Sequence, residues 1–135
     1  MSVVHEVHGE DATVAVEVRS MELVGDLLRV GIEFTPSWSV EPSSRVTLNS
    51  LIGDADAEGF GPRLLDPVNL LEYRTVRTPV GNGTSVSAIA DQPRLLYFSF
   101  GAPVQEPETL DLHLDFQRGP SDVPPLVDIP YGAVT

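Results

Sequence analysis

Residues 12–35, ATVAVEVRSMELVGDLLRVGIEFT, read as two long strands joined by a tight turn. In the second, Leu28, Val30, Ile32 and Phe34 alternate with Leu27, Arg29, Gly31, Glu33 and Thr35. A strict period of two marks a strand with one face in a core and the other outward. In the first, Val14, Val16 and Val18 alternate with Ala15, Glu17 and Arg19, and then the apolar phase slips to Met21 and Leu23. A bulge near Arg19–Ser20 produces such a slip and is expected to keep both Met21 and Leu23 buried. Gly25-Asp26 supplies the turn.

The remainder of the chain follows the same pattern in shorter pieces. Val3–Val7 reads as a short edge strand, Arg45–Leu51 as the third strand, and Arg63–Pro67 as a brief one. Leu70–Thr78 has no fully apolar face and is expected at a sheet edge. Arg94–Phe100 is apolar on both faces, the pattern of a central strand covered on both sides. Thr109–Phe116 alternates without error, and Leu126–Ile129 forms a last short strand. About seven strands punctuated by turns predict an all-β fold, an antiparallel two-sheet β-sandwich of immunoglobulin-like general form, with a closed barrel as the alternative. The 135 residues make one domain, with 1–11 and 119–135 as peripheral segments.

Composition narrows the function. Twenty acids against eight bases give a net charge of −12, and all the bases are arginine. Such a surface repels nucleic-acid phosphates and anionic lipids, so neither is an expected partner. No apolar run approaches the ~18–20 residues of a membrane span. Met1–Asp11 lacks the basic and apolar regions of a secretory leader. Cysteine is absent, which removes disulfides and thiol chemistry.

Motifs of catalysis are missing as well. There is no G-x-S-x-G, no S-x-x-K and no phosphate-binding glycine loop. His5 and His8 are spaced for one helix face, but on a strand they point to opposite sides. Asp111, His113 and Asp115 share a strand face, yet i and i+4 lie about 13–14 Å apart along a strand. A hydrated charged face accounts for them, with half of a metal site as the alternative.

Asp54, Asp56, Glu58 and Gly59 match the first half of an EF-hand loop. Leu65 stands where the closing glutamate would be, so the loop is read as acidic surface or as a weak calcium site of another type. The expected contacts for a partner are Trp38, Asn82 and Tyr97. Trp38 lies in a proline-bracketed loop, where it either plugs the core end or anchors a partner. Asn82 sits in the Gly81-Asn82-Gly83 turn, and Tyr97 on the face of its strand shared with Leu95 and Ser99.

The succession LRVGIEFTP, VTLNSLIGD, LLDPVNLLEYRTVRT, PRLLYFSFGAPVQEPETLDLHL and DVPPLVDIP resembles immunoglobulin-like domains of actinobacterial exported proteins. Some of those stand before peptidoglycan-binding domains; others are small secreted sandwich antigens. The most specific pieces are Leu65-Asp66-Pro67-Val68-Asn69 with Tyr73, then Leu96–Phe100 running through Ala102-Pro103 to Thr109–Leu114, and Asp122-Val123-Pro124 before Asp128-Ile129-Pro130. The chain departs from them in lacking cysteines near Thr78–Thr84 and an export signal. The resemblance implies an extracytoplasmic interaction domain and no reaction.

Three classes of function follow. The first is a non-enzymatic module that binds a protein or cell-envelope partner through the loops Pro36–Ser44, Ile52–Pro62 and Pro79–Gln92. The second is an assembly subunit that self-pairs through a sheet edge near Glu72–Arg77. The third is a divalent-cation-dependent module or enzyme using Asp54, Asp56 and Glu58, or Asp111, His113 and Asp115. If calcium binds the acidic loop, millimolar calcium raises the melting temperature over that in chelator by mass action. Identical melting curves in the two conditions remove the calcium site.

Overall fold

The computed structural model describes residues 2–7, 12–39, 46–48, 51, 61–76, 86–103, 107–115 and 126–131. They form an all-β sandwich of two antiparallel sheets. The strands are β1 (Ser2–Val7), β2 (Ala12–Val24), β3 (Leu27–Trp38), β4 (Gly61–Asp66), β5 (Leu71–Arg74), β6 (Arg94–Gly101), β7 (Thr109–Asp115) and β8 (Leu126–Pro130). One sheet runs β1-β2-β3-β6 and the other β5-β4-β7-β8. Strands β1, β2 and β3 lie side by side in one sheet, whereas immunoglobulin domains send strands B and C to opposite sheets. The shared feature is the sandwich architecture.

The β2–β3 hairpin behaves as its alternation requires, with one correction. Val18 pairs with Ile32 and Ser20 with Gly31, so Arg19 is the extra residue of a bulge. The bulge restores phase, and Met21 is fully buried opposite Val30. Arg19 itself turns outward toward Glu17 (3.1 Å) and Glu33 (3.8 Å). Leu23, expected in the core, is 57% exposed. It stands two residues before the turn on the outermost described strand there, while its partner Leu28 on β3 stays buried.

Core residues come from the inner faces of both sheets. Val14, Val16, Val30, Ile32, Phe34, Phe98 and Phe100 meet Leu64, Leu110, Leu112, Leu126 and Ile129, all fully or almost fully buried. On β6 only the Phe98 and Phe100 face enters this core. Leu95 and Tyr97 are substantially exposed, and β6 ends its sheet, so the expectation of a doubly covered central strand is corrected. Tyr97 lies across Gly31 in place of a covering layer. A Cβ at Gly31 would meet Ser20 Oγ and come within 3.1 Å of Tyr97 Cε1, which is how an aromatic ring shields a strand glycine.

Arg45–Leu51 is not a strand where it is described. Thr47 makes one antiparallel bridge to Ser87, while Leu48 and Leu51 have helical backbone. Their spacing of three places both side chains on one face of a helical turn, and both are buried. β5 lies at a sheet edge, as its two mixed faces require. Just past it, Thr75 bridges to Phe100 and the Val76 N–H donates to Ser99 O at 2.7 Å, stitching the two sheets along one side.

The two faces of β6 should respond very differently to truncation. Phe98→Ala should cost about 3–5 kcal/mol of unfolding free energy. Leu95→Ser on the outer face should stay within about 0.5 kcal/mol of the parent. Urea denaturation of both variants measures the contrast.

Candidate functional site

Two hairpin turns, one in each sheet, carry exposed aliphatic residues. β6 leaves its sheet with Gly101 opposite Leu27, and the Ala102 N–H donates to Asp26 O at 3.1 Å beside the β2–β3 turn. The connection 102–108 then delivers the chain to β7, whose Asp111 pairs with Leu65 near the close of β4. Tyr131 N–H donates to Glu108 O at 3.0 Å and holds the end of β8 there.

The β2–β3 turn is built on Gly25, whose φ of 60° at the first central position suits a tight hairpin. It is flanked by Leu23 and by the half-exposed Val24. The β4–β5 turn is built on Asp66, whose side chain is almost wholly buried. Its Oδ1 accepts the N–H groups of Val68 (3.1 Å) and Asn69 (3.0 Å). Its Oδ2 accepts from Asn69 Nδ2 at 2.8 Å. An aspartate that caps the backbone two and three residues ahead fixes the turn as firmly as a backbone ladder would. The Asn69 amide and N–H, with a smaller contribution from Val68 N–H, hold the Asp66 carboxyl below its usual range against the opposing effect of burial.

The side chains presented by this rigid turn are aliphatic. Val68 is 82% exposed, Leu70 87% and Leu71 41%. Leu70 also has φ of 56°, the left-handed region where glycine or asparagine is preferred. Beneath the turn, burial raises the Tyr73 pKa, and the nearby Asp66 charge and Tyr131 add to the effect. The Tyr73 hydroxyl is buried and has no hydrogen-bond partner among the described residues. Ion pairs ring the base of β5, where Glu72 accepts from Arg74 at 3.1 Å and Arg63 at 3.4 Å.

The residues expected to contact a partner lie elsewhere. Trp38 does not stand in a loop: Pro36–Trp38 continue β3 because they pair with Ala12–Val14 of β2, and the ring is partly buried against the core. Tyr97 carries the Arg29 guanidinium 3.9 Å above its ring. Asn82 lies outside the described residues, as do Asp54, Asp56 and Glu58. Among the described residues no three His, Asp or Glu side chains are placed to share a metal ion. Asp111 and His113 are half-buried on β7.

Described parts of the long loops close the far end of the core. Leu48 N–H donates to Val86 O at 2.7 Å and Ala88 N–H to Val46 O at 3.4 Å, with Leu48 and Ala88 buried beneath. Ser37 Oγ donates to Asp91 Oδ1 at 2.8 Å, and Asp91 N–H to Pro36 O at 2.7 Å.

The apolar turn end was thus missed by the reading of loops. A signal was present in Val68-Asn69-Leu70-Leu71, which sets aliphatic residues where turn chemistry favours polar ones. Comparison with family models, curated proteins and solved structures found no match for this chain.

Asp66 gives the turn a pH signature. Because its folded pKa is lowered, its contribution to stability is complete above the ordinary carboxylate range and disappears as pH falls through the folded pKa. Asp66→Ala should lower the melting temperature at neutral pH, and the gap from the parent should close in acid. A gap of constant size from pH 7 to 2 would contradict this role.

Proposed function

We propose that this chain is a non-enzymatic β-sandwich binding module, immunoglobulin-like in general form, that engages a protein or cell-envelope partner through its β2–β3 and β4–β5 turns. The observation that carries this reading is Leu70: 87% exposed, at φ of 56°, on a turn clamped by a buried aspartate. Leucine there is a cost to the fold in two ways, through backbone strain and through apolar surface left in water. A rigid turn that presents Val68 and Leu70 is the form of an anchor that enters a partner's pocket without first losing conformational freedom. Leu23 and Val24, beside the β2–β3 turn of the other sheet, are exposed as well. The resemblance to actinobacterial exported domains supports an extracytoplasmic setting.

Charge shapes the partner class. With a net charge of −12, nucleic acid and anionic membrane are disfavoured, and a protein or polymer surface with an aliphatic pocket is favoured. Self-pairing near Glu72–Arg77 has less support, because Val76 already donates within the molecule.

Leu70→Gly separates binding from folding. It relieves the strain and should leave stability unchanged or raise it by up to about 1 kcal/mol. Losing a buried leucine should weaken binding roughly tenfold to a hundredfold. Quantitative capture from fractionated source-cell extract, with Ile89→Ser at a separate exposed site as the control, measures both effects. Capture by Leu70→Gly equal to that by the parent would overturn the reading.

A further inference from the structure

The turn that carries Val68 and Leu70 opens with Asp66-Pro67, and no other aspartate in the chain precedes a proline. An aspartyl–prolyl bond is the most acid-labile of peptide bonds, for two chemical reasons. The aspartate carboxylate can attack its own main-chain carbonyl carbon through a five-membered ring. The proline nitrogen belongs to a tertiary amide, takes up a proton readily, and leaves as a secondary amine. The product is a cyclic anhydride, which water opens to leave Asp66 as a new C-terminus and Pro67 as a new N-terminus. The net change is hydrolysis of one peptide bond, with water as the co-reactant.

The folded turn restrains each part of this chemistry. Asp66 is 1% exposed, so water has little access to an anhydride formed there. Its Oδ1 is held by the N–H groups of Val68 and Asn69, and its Oδ2 by Asn69 Nδ2 at 2.8 Å. As the attacking oxygen gives its charge to the new C–O bond, those hydrogen bonds weaken, and the barrier rises. Asp66 also closes the β4–β5 ladder opposite Leu71, which limits how far the carbonyl can move.

We propose that Asp66–Pro67 is an acid self-cleavage site that the folded turn keeps latent, with the Asn69 side chain as its latch. The titratable neighbours leave that role to Asn69. Tyr73 on β5 senses the Asp66 charge and has Tyr131 near it, and both tyrosines are neutral in acid. Glu72 on β5 and Asp111 on β7 stand opposite Leu65, on the other face of the sheet.

A cut at this bond opens the turn without parting the molecule. Residues 1–66 and 67–135 stay joined by the pairing of β4 with β5 and β7, and of β3 with β6. The nick releases Val68 and Leu70 from the clamp that presents them. The chemistry itself does not depend on whether those side chains bind a partner.

Intact mass of the full chain after incubation in mildly acidic buffer tests the site, with circular dichroism recording whether the chain is folded. In urea the parent should release the fragments 1–66 and 67–135. Folded in the same buffer, it should release them about tenfold more slowly or less. Asn69→Ala keeps both backbone bonds to Oδ1, and with a native spectrum it should cut several-fold faster than the folded parent. Asp66→Asn should give neither fragment, folded or in urea. Equal release from the folded and the urea-unfolded parent overturns the proposal. So do the same fragments from Asp66→Asn, or a break elsewhere that outpaces this one in the unfolded chain. A native Asn69→Ala that cuts no faster than the parent overturns the latch; where acid unfolds that variant, the comparison moves to the pH at which its spectrum is native. No partner enters these measurements, so their failure is distinct from a failure of Leu70→Gly to weaken capture.

Discussion

The pairing of β2 with β3 has to change phase once, at Arg19, and the rest of the molecule depends on that change. Without an extra residue there, Met21 would turn out to water and Ser20 would enter the core. With it, an apolar face continues past the bulge, and β3 can offer Leu28, Val30, Ile32 and Phe34 to the second sheet along its length. The position of the bulge also suits the charges. Arg19 is displaced from the ladder and falls between two glutamates on the outer face. Opposite the bulge, Gly31 makes room for Ser20 and for the ring of Tyr97.

The two ends of the sandwich are finished by different chemistry. At the far end, two long connections pair with each other and press Leu48, Leu51 and Ala88 into the core, with Trp38 packed alongside. At the turn end, Asp66 organises a short loop through three hydrogen bonds, and aliphatic side chains stand in solvent. Such an end is shaped in advance and costs the fold stability. Reserving apolar surface on a rigid support is a common property of recognition sites.

Much of the architecture could be read from alternation alone, because period-two sorting of β2, β3 and β7 is a direct imprint of burial. Even the bulge left a trace, since Met21 breaks phase with Val18. What alternation does not report is how far the opposite sheet extends. Leu23 keeps the apolar pattern but is 57% exposed beside the turn, and Leu95 keeps it on the outer face of β6, where it is 44% exposed. Arg45–Leu51 failed for another reason: Leu48 and Leu51 fit a helical turn as well as they fit a strand, and only tertiary contact decides between periods in so short a run. The turn end was hidden because exposed aliphatic residues in sequence look the same as buried ones.

Among the described residues, backbone bonds join the two sheets only at the seam where Thr75 and Val76 reach β6. Along the other side, where β1 and β8 lie, the described residues make no backbone bond between the layers. The domain is therefore bound like a book, with its spine at β5–β6 and its covers at the strands nearest the two termini. Tension applied through those termini lifts the covers first and leaves the spine until last. In a chain strung between two anchoring points, that order of yielding would let the outer strands give way while the clasped turn kept its shape.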